Sequence, residues 1–587
     1  LRLPEDIAEL VALARGAGAQ QLGGELLGDP RAAEAAAPWK TVNELLAIRA
    51  AERPDNEYLT FADNETPGDE EAAAAPRLSR YSYRQIAERV ARLRGVFQRL
   101  GLRPGDTIST VDRFNHADTV CLLLAAWCSG LRAAPLNMEE DDERLSFILK
   151  NAETKAVFVR ESHAEQFGRI NWNADVPTIL TVGARRGALP FARLEALEAK
   201  AEPIPLQEDV PSPDAEALLV YTSGTTGYPK GVCLSHSLLN DVAAVVDFHN
   251  FTEGDVFATA MRLFHVNAII TSMLAALASG GRLLLLRRWE PRGFWSLVED
   301  EGATTASVVP AMLADLLRAG GKPDPKIFHR FRTLICGAGT LKKALARQWL
   351  DTAPVRIAHG WGMSETTCWG CWLPADLSDE EYRALMLDRE APSIGMPHRF
   401  NRMGIMDAEG RLLPEKRKGQ IVLAGPTVME GYFQRDDANR DAFKHGVLET
   451  GDEGFWEPDS RGRPMFFITG RLKDIIERGG EKFSPYEMDD ELANIEGVRT
   501  ALVFGFPHER LGQEIGIVLE PEEGFGVTLE RVQRHAHSMG YSWAKTPKEM
   551  RVVMSIPKTA TGKETRKLFA SLFAGCEKNH YKKPDWW

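Results

Sequence analysis

The sequence predicts an α/β protein: helices covering parallel sheets, then a small β-rich subdomain, then a separate α+β domain. Three patterns carry this reading. Apolar strand-like runs at 107–111, 156–159 and 178–182 alternate with helical segments at 117–128 and 142–150, and the rhythm resumes beyond residue 237. Between about 395 and 470 the grain changes to short strands broken by Gly and Pro. From Gly470 onward strands and helices mix again in what reads as an independent unit.

Each element has a local reason. Residues 1–36 mix Ala, Gly and acids with weak helical periodicity and read as an N-terminal extension with mobile flanks. Val42, Leu45, Leu46 and Ile48 then mark an amphipathic helix. An acidic, Ala-rich insert at 64–76, between Tyr58-Leu-Thr-Phe and Tyr81-Ser-Tyr, reads as a solvated hairpin tip. Ile86, Val90, Leu93 and Phe97 predict a helix over 84–100, stopped by Gly101 and Pro104-Gly105. Helices starting at Ser237, Gly293 and Ala311 alternate with strands at 281–286, 306–309 and 333–336.

Bulk properties narrow the function classes. At 587 residues the chain exceeds a single core, while 44% apolar and 26% charged residues are ordinary for globular domains. A net charge of −12 argues against a nucleic-acid-binding face. Seven scattered cysteines, an odd number, suggest no disulfide framework and favour a reducing cytoplasm. Cys368 and Cys371 form a C-x-x-C without a second pair and read as part of a packed segment rather than a metal site. The start lacks a basic segment followed by an apolar one, and the longest uncharged apolar stretch, 119–131, is too short to span a bilayer, so no membrane span is expected.

The stretch from Tyr221 to Gly231, YTSGTTGYPKG, is the most informative. Hydroxyl donors at Thr222, Ser223, Thr225 and Thr226 alternate with Gly224, Gly227 and Gly231, and Lys230 closes the run. Glycines let backbone N–H groups approach anionic oxygens, hydroxyls add donors and the ammonium adds a point charge, so the loop suits a polyphosphate. A Walker A loop requires G-x-x-x-x-G-K-[ST], and here Lys230 follows Tyr228-Pro229 and precedes Gly231. A bare Gly/Thr run would equally suit a polar turn; the full eleven residues are less generic. Further on, His359-Gly360-Trp361-Gly362-Met363-Ser364-Glu365-Thr366 offers an indole face for stacking a base and oxygen ligands for magnesium at Ser364 and Glu365. Glu449-Thr450-Gly451-Asp452, Gly470-Arg471-Leu472-Lys473-Asp474, Gly479-Gly480 and Pro557 to Lys563 follow in order.

The eleven-residue loop and the ordered motifs after it, covering roughly residues 40 to 570, resemble the adenylate-forming superfamily, which includes acyl-CoA synthetases and peptide-synthetase adenylation domains. The resemblance implies a large N-terminal domain (37–470) of two helix-covered sheets plus the β-rich subdomain, and a small mobile lid (471–587) with a hinge near Lys473. It places Thr222, Ser223, Gly224, Thr225, Thr226, Gly227, Gly337, Ala338, Gly339, Trp361, Gly362, Met363, Ser364, Thr366, Asp452 and Arg471 around the nucleotide, Asp452 on the ribose hydroxyls. Lys230, Glu365, His265 and Lys563 take catalytic roles, Lys563 in the adenylation step, and Glu365 and Ser364 face magnesium. His265, Val266, Asn267, Gly337, Trp361 and Trp369 would line the acid pocket, and Gly479 and Gly480 the thiol tunnel. Two positions depart from most relatives: Trp361 stands for Tyr and Ser364 for Thr. Amino-acid-activating relatives usually carry an aspartate near 265–267; His and Asn stand here, which favours a plain carboxylic acid.

The implied reaction consumes ATP with magnesium, releases pyrophosphate, and passes the acyl group to coenzyme A. Alternatives are a stand-alone enzyme that loads an acyl carrier protein or activates an unusual oxyanion, and a non-catalytic nucleotide-binding relative. Inward-pointing Trp369 and Trp372 would favour a short or medium acid over a long fatty chain.

Overall fold

The structure, a computed structural model, describes residues 3–16, 24–29, 32–64, 76–173, 175–181, 192–222, 229–319, 323–557 and 566–587. Among these, strands form three sheets of fourteen, eight and five strands. The helix Ala117–Cys128 lies at the centre of the large domain. It buries all of its residues, with Asp118 in its first turn paired to Arg89 at 2.6 Å, and the Trp127 indole donates to Ala217 O at 2.7 Å. This is the stretch whose length excluded a bilayer crossing, and no helix among the described residues is long and apolar enough for one.

The eight-stranded sheet carries parallel strands Thr107–Asp112, Arg132–Asn137 and Glu216–Thr222, followed by the antiparallel Lys230–Ser235. The fourteen-stranded sheet has a parallel block containing Val256–Thr259, Arg282–Leu286, Thr305–Val308, Thr333–Cys336 and Ile357–Trp361. Parallel pairing places the carboxyl ends of each block along one edge, where ligands of open α/β sheets bind. One side chain joins the two edges. Asn115, just beyond Thr107–Asp112, donates to Met261 O at 2.9 Å and Leu286 O at 3.0 Å and accepts from Leu263 N at 3.0 Å.

The β-rich stretch is present, but it continues the large sheet. The two-residue strand Cys371–Trp372 pairs antiparallel with both Ile357–Trp361 and Ser393–Pro397, so the antiparallel strands extend the parallel block. The third sheet starts at Ile476 and has a separate core of Met488, Leu492, Val503, Ile515 and Ile517.

The amino end differs from the expected loose extension. The helix Glu5–Arg15 buries Ile7, Val11 and Ala14. Gly425 N donates to Ala14 O at 2.8 Å, and Arg15 donates to Val428 O at 2.5 Å and pairs with Glu430 at 2.9 Å. The strands flanking the acidic insert pair antiparallel as expected, while the tip at 65–75 lies outside the described residues.

Four of the buried histidines are held neutral by their surroundings. Burial holds His236, His359 and His398 down to about 4 and His249 to about 3, against an ordinary 6.5. Unfolded, these imidazoles take protons near pH 6.5; folded, they stay neutral until about pH 4. The unfolded state therefore gains protons first as pH falls through that window, and stability is lost on the order of 2–3 kcal/mol per histidine. The melting temperature is expected to drop steeply between pH 6.5 and 4.5 in a fluorescence melt; a flat profile there contradicts the interior neutral histidines.

Candidate active site

The strand Ile357–Trp361 delivers Trp361 to the carboxyl edge of the sheet, and the chain then doubles back. At Gly362 a Cβ would lie 1.9 Å from Cys368 O, so only glycine permits that return. The Thr366 hydroxyl closes the turn, accepting from Met363 N and donating to Met363 O, both at 3.0 Å. Ser364, Glu365 and Thr366 are buried behind it.

Four motifs that are remote in sequence meet here. Asp452 and Arg471 sit opposite each other on neighbouring antiparallel strands. One Asp452 oxygen contacts Arg471 Nε at 2.9 Å and the other accepts from Trp361 Nε1 at 2.9 Å. The neighbouring Asp452 carboxylate holds the Arg471 guanidinium above its ordinary range. Each carboxylate oxygen has a further lone pair, so Asp452 retains acceptor capacity. Nearby, Glu365 Oε1 accepts from the Tyr432 hydroxyl at 2.7 Å, and Lys230 Nζ stands 3.9 Å from the Tyr432 ring centroid. Burial lowers the Lys230 pKa, partly opposed by Glu365. Burial, reinforced by Glu365, pushes the Tyr432 phenol well up, so it remains a donor.

Lys230 pairs directly with Thr222 across the Glu216–Thr222 and Lys230–Ser235 strands, closing the base of the glycine loop. The loop positions Ser223, Gly224, Thr225, Thr226 and Gly227 lie outside the described residues. Tyr432 arrives from the other side. The strand Gly431–Tyr432 pairs with the Lys230–Ser235 strand, and Phe433 N donates to Gly231 O at 2.8 Å. Sequence reasoning missed Tyr432, whose only signal is a Gly-Tyr pair.

The residues expected to border the acid are arranged around Trp369. Its backbone N donates to Asp241 at 2.8 Å and its indole Nε1 to Thr271 Oγ1 at 2.8 Å. The ring fills the space beside Gly337, where a Cβ would meet it at 2.3 Å, and its centroid is 3.9 Å from that of Trp372. Ala338 follows with a left-handed φ of 59°, a strained conformation for alanine, and Gly339 packs near Pro310. Thr271 belongs to a π-helix, Asn267–Leu274, entered through His265 and Val266. Ser307 Oγ donates to Asn267 Oδ1 at 2.7 Å, which leaves the Asn267 amide nitrogen as a donor without a protein partner among the described residues. Cys371 donates to Ile394 O at 3.1 Å and Cys368 contacts Thr271 at 3.6 Å, both as packed thiols.

The small domain meets the large one beside Arg471. Tyr486 donates to Asp474 at 3.1 Å and carries the Arg566 guanidinium 4.2 Å above its ring, while Lys343 N contacts Asp490 at 3.3 Å. Lys473 sits in the short turn after Arg471. Gly479 and Gly480 form the tight turn between strands Ile476–Arg478 and Glu481–Phe483, both with positive φ. Both glycines are exposed, and among the described residues no atom comes within 4 Å of a Cβ built at Gly480. Lys563 lies outside the described residues.

Among the described residues no group of three or more His, Cys, Asp or Glu is gathered for a metal. The donor set instead suits magnesium, which takes one or two carboxylates and fills its shell with phosphate oxygens and water. Glu365 provides such a carboxylate, with its second oxygen unengaged by protein among the described residues.

Comparison with known proteins agrees with this geometry. The model of the AMP-binding enzyme family matches residues 50–433, and that of the AMP-binding enzyme C-terminal domain matches 487–563. A sulfoacetate–CoA ligase of Cupriavidus necator is 30% identical, over 90% of this chain and 97% of its own. An oxalate–CoA ligase of Arabidopsis thaliana is 28% identical, over 81% of this chain and 89% of its own. ATP-bound MatB from Rhodopseudomonas palustris superposes with a TM-score of 0.77 at 24% identity, over 92% of this chain and all of that one, a likeness of fold. The chain belongs to the AMP-binding enzyme family, within the adenylate-forming superfamily. It is an AMP-forming acid–thiol ligase that activates a small-molecule carboxylic acid with ATP and forms a thioester with coenzyme A.

The Lys230–Tyr432–Glu365 arrangement yields a specific expectation. Tyr432→Phe keeps the ring beneath the ammonium and deletes the hydrogen bond to Glu365, costing about 1 kcal/mol. The KM for ATP-magnesium in pyrophosphate exchange is expected to rise several-fold in Tyr432→Phe and more in Tyr432→Leu; equal kinetics in both variants would remove the aromatic bridge from the site.

Proposed function

We propose that this enzyme activates a short acid bearing a second polar group, and that its reaction is divided between Lys230 on the large domain and Lys563 on the small one. The observation that carries the size assignment is the Trp369 indole, buried against Gly337 and pinned to Thr271, where it takes up space between the Gly337–Gly339 turn and the π-helix. The unpartnered amide of Asn267 supplies a donor there for the polar group. The sulfoacetate and oxalate named for two relatives are acids of this kind.

In this reading the glycine loop and Lys230 hold the β- and γ-phosphates, Trp361 lies along the adenine, and Asp452 accepts from the ribose with Arg471 beside it. Glu365 and Ser364 would hold magnesium, which would supply positive charge to screen the phosphate oxygens against an incoming carboxylate. His265 and Val266 border the acid. Lys563 bridges the acid and the α-phosphate as the P–O bond to pyrophosphate breaks and the acyl–phosphate bond forms. Arg566, three residues after Lys563 in sequence, stands on Tyr486, which is bonded to Asp474 beside Arg471; this supports an approach of that segment to the nucleotide. Rotation about Lys473 then withdraws Lys563 and brings Gly479 and Gly480 to the path of the thiol, in keeping with their exposed position here. The free, buried cysteines favour a reducing compartment.

The acceptor is coenzyme A rather than a carrier protein; turnover with ATP, acid and coenzyme A alone decides this, and a requirement for a phosphopantetheinylated carrier reverses it. Lys563→Ala is expected to slow acid-dependent pyrophosphate exchange by about 10²- to 10³-fold while sparing thioester formation from supplied acyl-adenylate; exchange at the wild-type rate contradicts the role. Trp369→Ala is expected to shift the preference among acids of increasing length toward longer chains and to lower stability by about 3–5 kcal/mol. Efficient palmitate turnover by the wild type contradicts the size assignment.

A further inference from the structure

Arg113, Arg262 and Arg287 are distant in sequence, yet each follows the carboxyl end of a parallel strand: Thr107–Asp112, Val256–Thr259 and Arg282–Leu286. Asn115 brings the three loops together through its side-chain bonds to Met261, Leu263 and Leu286, and its backbone N donates to Arg287 O at 3.0 Å. The three guanidinium groups surround one ring, with their carbons 5.3, 4.7 and 5.6 Å from the Phe114 centroid.

Their counter-charges are uneven. Arg113 pairs with Glu139 at 3.0 Å and Arg287 with Asp63 at 3.4 Å. Arg262 bonds only the Arg287 carbonyl, at 3.3 Å, and has no carboxylate within ion-pair distance among the described residues. Its charge is disfavoured by burial and by neighbouring Arg113, with Glu139 in partial opposition. Three cations drawn to one ring, one of them lacking a carboxylate, form a local demand for an anion on a protein of net charge −12.

The patch has a position as well as a charge. Arg262 O accepts from His265 N at 2.9 Å, so it directly precedes the entry to the π-helix on the acid side. It opens to solvent, with the Arg113 and Glu139 side chains 53% and 43% exposed, whereas Trp369 is buried. We propose that Arg262, with Arg113 and Arg287, binds the phosphates at the nucleotide end of coenzyme A. That end is strongly anionic and must stay outside while the pantetheine arm carries the thiol inward. In the reading above the ATP phosphates go to the glycine loop and Lys230, and the acid sits beside the buried Trp369. The inference rests on the coenzyme A reading given above.

The test compares coenzyme A with pantetheine, which has the same thiol and no phosphate, in Arg262→Ala, Arg262→Lys and the exposed-rim variant Arg113→Ala. Arg262→Ala is expected to raise the KM for coenzyme A by about tenfold at low salt and to leave that for pantetheine unchanged, the charge-assisted contact being what is lost. Arg262→Lys restores part of the affinity, Arg113→Ala has a smaller effect in the same direction, and added salt narrows every difference. Equal rises for both thiols, or an unchanged KM for coenzyme A, overturn the patch. A rise in the KM of the acid or of ATP in pyrophosphate exchange gives the patch to that anion and also overturns it. If the wild type forms no coenzyme A thioester from any acid, the underlying reading falls together with the patch; loss of the arginine effect alone leaves that reading standing.

Discussion

The site depends on holding an ammonium in a half-dry position next to a carboxylate without letting the two collapse together. Tyr432 does this by lying between them, its ring facing Lys230 and its hydroxyl bonded to Glu365. A direct ion pair would neutralise both groups and leave each less available to phosphate or metal. The aromatic face stabilises the cation by about 0.5–2 kcal/mol while leaving its three N–H donors free to turn outward. The arrangement needs strand pairing within one sheet, because Tyr432 lies on the edge strand of the eight-stranded sheet and Lys230 begins the strand beside it.

A second constraint operates around Trp369. Asp241 is buried on the helix Leu238–Phe248, its pKa pushed well up by burial, and it accepts from Trp369 N. His398 and Asn401 hold the Trp369 carbonyl at 2.9 and 3.3 Å, and Thr427 donates to Asn401 at 2.7 Å. A loop with a left-handed Thr367, φ 67°, and a close crossing at Gly362 would be costly alone. The polar network satisfies its main-chain groups and fixes where the indole stands.

Much of this was legible in the sequence, and the reasons separate cleanly. Alternating strands and helices revealed the parallel blocks because their burial imposes continuous apolar runs, as in the helix Ala117–Cys128. Lys230, Trp361, Glu365, Asp452 and Arg471 were found through their motifs, and the structure brings them together. The continuity of the large sheet was hidden because it passes through the two-residue strand Cys371–Trp372, too short for any periodicity. Tyr432 was hidden for the same reason. The direction of Trp369 is a rotamer, decided by Thr271 and Gly337, almost a hundred and about thirty residues away in sequence. The arginines on Phe114 carry no local signal, since only tertiary folding makes them neighbours.

The docked amino-terminal helix has a practical corollary. Through Ala14 and Arg15 it fastens Gly425, Val428 and Glu430, the residues leading directly into Gly431 and Tyr432. Trimming this segment, or fusing a bulky partner closely against it, would loosen the strand that carries Tyr432 to Lys230 and Glu365, so the far end of the polypeptide acts as a splint for that cluster.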